Sequence, residues 1–324
     1  VEFELVYDDT ATEATDPVTV AYRTGQYANA FLLDALTRLV PPGGYVFDLG
    51  AHIGTFALAA AAAGYHVLAV EAAASHVAIL RESVRCNRFE RRLQVIHGAA
   101  GNRAGTIEFH VRGPWGMVAP PDDAEATTVA CVRPDALFAE SHWPRLDFVK
   151  LDIEGSELRA LEGLAGVLDG PEAPILLCEC NAWCLRQQGT TAEALRRHLS
   201  ARGYATYVRH GNGYAPLAVT AFHPATVLDL LAIPAAREAA LRPTLAPRAA
   251  LTDEELVLLL LQEGLSTEIP HRYYAARQIR VAPARLQADP RVRALRARLA
   301  EDGEAEVWDA LGSTARPSAQ SDPL

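Results

Sequence analysis

Val46–Glu71, VFDLGAHIGTFALAAAAAGYHVLAVE, decides the fold. A short apolar run ends in Asp48, and a loop carrying Gly50 and Gly54 follows. An alanine-rich stretch of helical length comes next, then a second apolar run that stops at Glu71. The order predicts strand, loop, helix, strand: the opening of a parallel α/β sheet whose strand ends receive a nucleoside-type ligand. Gly50 is expected to let the backbone come close to that ligand, and Glu71 to accept both hydroxyls of a ribose. The loop pattern is Asp-x-Gly-x-x-x-Gly. Read as the dinucleotide fingerprint G-x-G-x-x-G, it puts Asp48 and Ile53, or His52 and Thr55, where glycines are required. A pyrophosphate would meet a carboxylate there. The spacing therefore points to a cationic, phosphate-free cofactor, S-adenosylmethionine.

The 324 residues, 50% hydrophobic and 22% charged, suffice for one large core and a small second unit. A formal net charge of -10 argues against whole-protein attraction to nucleic acid or to an anionic membrane. The longest fully aliphatic run, Val257–Leu261, is far too short to span a bilayer. The acidic start, VEFELVYDD, lacks the basic and apolar parts of a signal peptide, so a cytoplasmic location is expected. Cys178, Cys180 and Cys184 cluster in sequence. The first two lie in the apolar run ILLCEC, where cysteine serves as a small buried hydrophobe. No second Cys/His pair with zinc-ligand spacing lies near them.

Outward from the opening stretch, apolar runs predict strands near 45–49, 66–70, 93–97, 146–152, 174–180 and 204–209. Helices are expected near 26–39, 54–63, 75–87, 156–168 and 191–202, the last opened by a capping box at Thr190 and Glu193. Residues 104–132 read as a hairpin and flap rather than another βα unit. Residues 1–40 form an expected strand and helix extension, with short strands around the turn DDTATEATDP, and 41–222 the catalytic domain. Residues 223–310 read as a mainly helical extension and 311–324 as a disordered tail. Thr252 and Glu255 cap one helix of the extension, and 271–299 is rich in arginine. That segment reads as a solvated helical face or a dimer contact, so a homo-oligomer through the C-terminal region is the partner expected of it.

The second diagnostic segment is Leu146–Gly163, LDFVKLDIEGSELRALEG. A strand ending in Asp152 runs into a helix whose apolar positions Leu158, Leu161, Leu164 and Leu168 recur at helical spacing. Lys150, Asp152 and Glu154 thus gather at the carboxyl end of a central strand, where α/β sheets place ligands. Lys150 is the only lysine in the chain; every other basic residue is arginine. A salt bridge to Asp152 or Glu154 would explain a cation there, but arginine would serve for that. A compact ammonium suits the orienting of a carboxylate or of a substrate oxygen.

Together these segments resemble the FkbM family of S-adenosylmethionine-dependent methyltransferases, a class I Rossmann-like group. The resemblance spans roughly residues 46–209. It rests on VFDLGAHIGTF, on VEA followed by Leu80 and Asn87, on HGAAG, and on DFVKLDIEGSELRALEG, with Glu179 where the family commonly has a glutamate. The resemblance implies an α/β, class I methyltransferase sheet with helices on both faces and an O-methyltransferase of natural-product or saccharide hydroxyls. It implies a cofactor site of Asp48, Gly50, Ala51, His52, Gly54 and Thr55 on the methionine side and Glu71 with Ala72 at the ribose. Ala99 and Ala100 would lie near the adenine. Two departures stand out: His52 where the family often has asparagine, and Ala72 where it often has proline.

Asp152 and Glu154 are the candidate catalytic bases, with Lys150 orienting them or the nascent alkoxide; the acids would otherwise cap the following helix. Trp115 and Met117 in the flap, and Trp183 and Arg186 after the fifth strand, are the expected acceptor contacts. No metal is assigned. Hard cations favour oxygen ligands such as Asp152, Glu154, Glu179 and Asn181, but the spacing does not demand one. The competing readings are a scaffold subunit that binds cofactor without catalysis, and an NAD(P)-dependent oxidoreductase, which the failed glycine pattern disfavours.

Overall fold

The computed structural model describes residues 2–11, 19, 20, 23, 30–112, 115–117, 126–210, 213–217 and 227–246. The elements are α1 (Ala30–Leu39), β1 (Tyr45–Leu49), α2 (Thr55–Ala62), β2 (His66–Glu71), α3 (Ala74–Cys86), β3 (Leu93–His97), β4 (Ala99–Ala100), β5 (Gly105–Arg112), β6 (Trp115–Met117) and β7 (Ala126–Val132). They continue as α4 (Pro134–Ser141), β8 (Phe148–Leu151), α5 (Glu157–Glu162), α6 (Ala165–Leu168), β9 (Ile175–Asn181), α7 (Ala182–Gln187), α8 (Ala192–Ala201), β10 (Tyr204–His210), β11 (Gly213–Pro216), β12 (Val227–Pro234) and α9 (Ala235–Leu245).

Two compact units divide the chain, the larger made of residues 1–206 and 229–245. Its main sheet runs β10-β12-β9-β8-β1-β2-β3, with β10 entering by its first residues. β1 pairs in parallel with β2 and with β8, β2 with β3, and β8 with β9. The chain steps one way from β1 to β3 and the other way from β8 to β9. Right-handed crossovers therefore put α2 and α3 on one face and α5 and α6 on the other. The reversal falls between β1 and β8, and ligands bind at such a switch point. This is the expected class I, Rossmann-like α/β architecture.

β1 and β8 are buried along nearly their whole length, as parallel central strands must be. Phe56–Ala61 of α2 is buried as a block, so its alanines allow close approach to the sheet. The insertion forms a second sheet, β4-β7-β5-β6, with β5 and β6 as an antiparallel hairpin. In the smaller unit, residues 207–228 and from 246 on, Tyr207–His210 pairs antiparallel with Gly213–Pro216.

Several expectations need correction. Residues 2–8 form no strand. Their backbone bonds instead to side chains of α3 and its C-cap: Asn87 Oδ1 accepts from Glu4 N at 2.7 Å, and Ser83 Oγ from Val6 N at 2.9 Å. The single helix expected over 156–168 is broken into α5 and α6 at Gly163, where a Cβ would lie 2.2 Å from the Gly101 carbonyl oxygen. The cap of α8 is Thr191, whose hydroxyl accepts from Ala194 N at 3.1 Å, rather than Thr190. Residues 227–234, placed by sequence at the head of a helical extension, are β12; an apolar run of eight residues is too short for periodicity to separate strand from helix. The expected helix capped at Thr252, the arginine-rich 271–299 segment and the 311–324 tail lie outside the described residues. Among the described residues no helix is long and apolar enough to cross a membrane.

Candidate functional site

Asp48 and Lys150 are register partners across the β1–β8 switch point. Lys150 Nζ lies 3.3 Å from Asp48 Oδ1 and 3.3 Å from Asp152 Oδ2, and donates to the Gly50 carbonyl oxygen at 3.0 Å. The lone lysine therefore joins the glycine loop to the carboxyl end of β8; its predicted partner Asp152 is joined by Asp48. Asp48 is wholly buried. Burial outweighs the attraction of Lys150 and raises its carboxyl to about 6.

The glycine loop is held by Gly50 N and Ala51 N donating to the Val70 carbonyl oxygen, at 2.9 and 3.1 Å. Gly50 has φ 82°, and a Cβ on it would lie 1.8 Å from the Asp152 carbonyl oxygen. The close approach that requires glycine here is to the loop after β8, a sharper reason than approach to a ligand. Gly54, left-handed at φ 95°, opens α2 just ahead of Thr55 and packs on Leu80. His52 is also left-handed, at φ 52°. Histidine and asparagine are both enriched in that conformation, which accounts for the departure from the family pattern at this position.

Glu71 is 7% exposed. Its Oε2 accepts from His52 N and its Oε1 from Ala73 N, each at 2.8 Å. Burial pushes the carboxyl up, but His76 and the two amides outweigh it and hold Glu71 below its ordinary value. His76 Nδ1 stands 3.7 Å from Oε1, too far for a hydrogen bond, so its influence is electrostatic. The His76 ring meets His52 edge-on at 4.3 Å. Sequence reading missed His76; its place in the first turn of α3, after the strand-2 acid, was the available signal.

Beyond β8 the acids separate into two roles. Glu157, buried, takes Ile153 N and Gly155 N on Oε1, each at 3.1 Å, and so holds the loop before α5; neither Asp152 nor Glu154 caps that helix, which has no side-chain cap. Glu154 is left-handed at φ 51° and accepts from the Cys184 thiol at 3.2 Å on Oε2. Burial and then Asp152 raise its carboxyl to about 7. One carboxylate oxygen each from Asp152, Glu154 and Glu179 lie within 4.8 Å of one another. Asn181 does not join them: its Oδ1 accepts from Cys184 N at 3.2 Å and caps α7. Cys178 and Cys180 are buried, as the apolar pattern predicts, and Cys184 is buried with them.

On the opposite side of the loop, Ala99 packs with Ala73, Phe109 and Val129, with Ala72 and Ile107 partly covering them. Ala100 lines a cavity of about 740 Å³ shared with Arg103, Thr106, Glu108, Ser156 and Arg159. Asp48, Glu71 and Asp152 do not line that cavity, so it is not where the acids meet. Of the four expected acceptor contacts, Trp183 (53% exposed) and Arg186 are exposed one turn apart on α7. Trp115 and Met117 sit on β6, opposite Arg112 and His110 of β5; their side chains lie outside the description.

The raised acids set a pH dependence. Asp48 titrates near 6, Glu154 and Glu157 near 7, and Glu179 well above the carboxylate range, all chiefly through burial. Unfolded, each would titrate near about 4. Between those limits the folded state holds more protons, so stability falls as pH rises. His198, lowered by burial, opposes this below its ordinary value, and the lowered acids Glu71, Glu82 and Asp135 act only at more acidic pH. The urea midpoint of the ligand-free protein is expected to be higher at pH 5.5 than at pH 8. A midpoint that rises over that interval would refute the assignment.

Residues 48–206, just under half of the chain, match the methyltransferase FkbM domain. Among solved structures, the O-methyltransferase from Bacillus cereus in complex with SAH is similar at 12% identity and TM-score 0.39, over 69% of this chain and 92% of that one. The precorrin-6y C5,15-methyltransferase from Geobacter metallireducens is similar at 10% identity and TM-score 0.36, over 62% and 85%. The METTL16 methyltransferase domain is similar at 14% identity and TM-score 0.41, over 72% and 73%. No curated protein matches the chain.

Proposed function

Residues 48–206 are an FkbM methyltransferase domain, and from that premise we propose that the protein transfers a methyl group from S-adenosylmethionine to a hydroxyl of a small molecule, a natural product or a saccharide. The observation that carries the reading is the Lys150 ammonium, fixed between the glycine loop and the acid that ends β8. The donor set fits the cofactor. Each Glu71 oxygen accepts one amide hydrogen bond and has lone-pair capacity left for a ribose hydroxyl. Asp48, whose own partner is Lys150 and whose side chain has no exposed surface, makes the loop unsuited to a phosphate by its charge rather than by contact.

Bound S-adenosylmethionine supplies a methyl group already carried on a sulfonium leaving group. Asp48, Gly50, Ala51, His52, Gly54 and Thr55 would hold its amino-acid end, Glu71 and Ala72 its ribose, and Ala99 and Ala100 the adenine side. Asp152 or Glu154 takes the proton of the acceptor hydroxyl, and Lys150 holds Asp152 in position. A carboxyl near 7, as at Glu154, is well placed to accept a proton at neutral pH. Trp183 and Arg186, with Trp115 and Met117, are the proposed acceptor contacts. With a net charge of -10, a small molecule is favoured over nucleic acid as acceptor.

Alignment of acceptor and methyl donor contributes effective molarities on the order of 10⁵–10⁸ M, and a general base roughly 10²–10⁴-fold. Asp152→Asn and Lys150→Arg are therefore expected to keep cofactor binding by calorimetry while labelled methyl transfer to hydroxyl compounds drops by about 10²–10⁴-fold. Full turnover in both variants would sink the catalytic assignment. Loss of binding would instead make them cofactor residues, and cofactor binding with no transfer to any acceptor would favour the scaffold reading.

A further inference from the structure

Asp152 and Glu154 follow β8, while Glu179 lies in β9, the neighbouring parallel strand. The register pairs Leu151 with Cys178, so the next residue of each strand, Asp152 and Glu179, falls side by side. Glu154 turns back toward them through its left-handed backbone. Glu179 Oε2 is fully enclosed and has no hydrogen-bond partner. A buried carboxylate oxygen without a donor is costly, and such groups in folded proteins are nearly always answered by a partner. Lys150, the ammonium beside this group, is shared among Asp48, Asp152 and the Gly50 carbonyl oxygen.

We propose that Asp152, Glu154 and Glu179 together bind one divalent hard cation of the magnesium or manganese type. The spacing suits it. Oxygens bound to one such ion at about 2.0–2.6 Å stand roughly 3–5 Å apart, and the three oxygens here lie within 4.8 Å of one another. The donor chemistry suits it as well. The three oxygens all come from carboxylates, a set that favours a hard ion over zinc. Three ligands leave positions for water in a six-coordinate shell. Each carboxylate has two oxygens, so ligation leaves Asp152 or Glu154 an oxygen for the acceptor's proton. Cation binding does not depend on the methyl-transfer reading.

The test is a titration of Mn²⁺ into the full chain, stripped beforehand with chelator, followed by the paramagnetic resonance of the free ion. One bound ion per chain is expected, weakened at least about tenfold in Glu179→Gln and in Asp152→Asn. Asp152 has a 42% exposed side chain, so that variant should fold even where Glu179→Gln does not. Glu82→Gln, on the exposed face of α3, should bind as the parent does. Absence of bound Mn²⁺ at millimolar concentration overturns the proposal, and so does undiminished binding in Asp152→Asn. S-adenosylmethionine binding by calorimetry on the same preparation separates the two readings. Cofactor binding without Mn²⁺ rejects the cation alone, and Mn²⁺ binding without cofactor rejects the methyltransferase site alone.

Discussion

Gly50→Ala is expected to destabilise the protein by more than about 4 kcal/mol, a loss reserved for severe local misfits. Two penalties combine. The residue sits at φ 82°, where a side chain costs about 1–2 kcal/mol on backbone grounds alone. The added Cβ would also fall 1.8 Å from the Asp152 carbonyl oxygen and 2.8 Å from its carbonyl carbon. That backbone cannot swing aside as a flexible side chain would, because Asp152 N is bound to the Leu49 carbonyl oxygen at 3.0 Å. Gly43 provides the control: it too is left-handed, at φ 89°, but has nothing within 4 Å of the added carbon. Gly43→Ala should therefore show only the backbone penalty. Urea denaturation of the two variants distinguishes the contributions. Equal losses would mean that the contact between the glycine loop and the loop after β8 does not constrain the fold. Where Gly50→Ala does fold, displacement of Asp152 should also lower methyl transfer.

That contact also shows where sequence reasoning stops. The apolar runs ending in Asp48, Glu71 and Asp152 gave the strands, because parallel strands buried on both faces leave an unbroken hydrophobic signature. The glycine spacing excluded a pyrophosphate site for a reason that needs no coordinates. Register, by contrast, is a pairwise property. Nothing in either segment alone states that Asp48 lies opposite Lys150, or that Asp152 falls beside Glu179. The division of labour between Glu154 and Glu157 turned on one left-handed, non-glycine residue, which composition does not advertise. Asn181 was read with the acids because it shares their strand end, yet the start of α7 uses it as a cap. β12 was missed because its run is short and its partners are distant in sequence. Oxygen-rich strand ends were thus legible as a site, while the pairing of their oxygens was not.

Lys150→Met is expected to cost about 3–5 kcal/mol at pH 8, since it leaves a buried carboxylate without its cation. Asp48 has no exposed surface, whereas the Asp152 side chain, 42% exposed, can be hydrated. The loss should therefore track Asp48. With Lys150 present, burial already lifts Asp48 to about 6 against the attraction of the ammonium. Without it, burial and the neighbouring Asp152 and Glu71 carboxylates act unopposed, and the carboxyl titrates higher still. The sign follows from linkage: the folded variant binds its extra proton as pH falls, so the deficit should shrink between pH 8 and pH 5.5. A cycle with Asp48→Asn isolates the pair, because the double variant has no buried charge left to compensate. It should lie within about 1 kcal/mol of Asp48→Asn alone, giving a coupling of about 2–5 kcal/mol. A deficit independent of pH, with additive losses in the double variant, would assign Lys150 to packing. Charge coupling of the expected size would instead make the same ammonium both the lock between β1 and β8 and the group that positions Asp152. In that case Lys150→Arg, which keeps the charge but replaces a point donor with a planar fork, should leave stability nearly intact and fail selectively in methyl transfer.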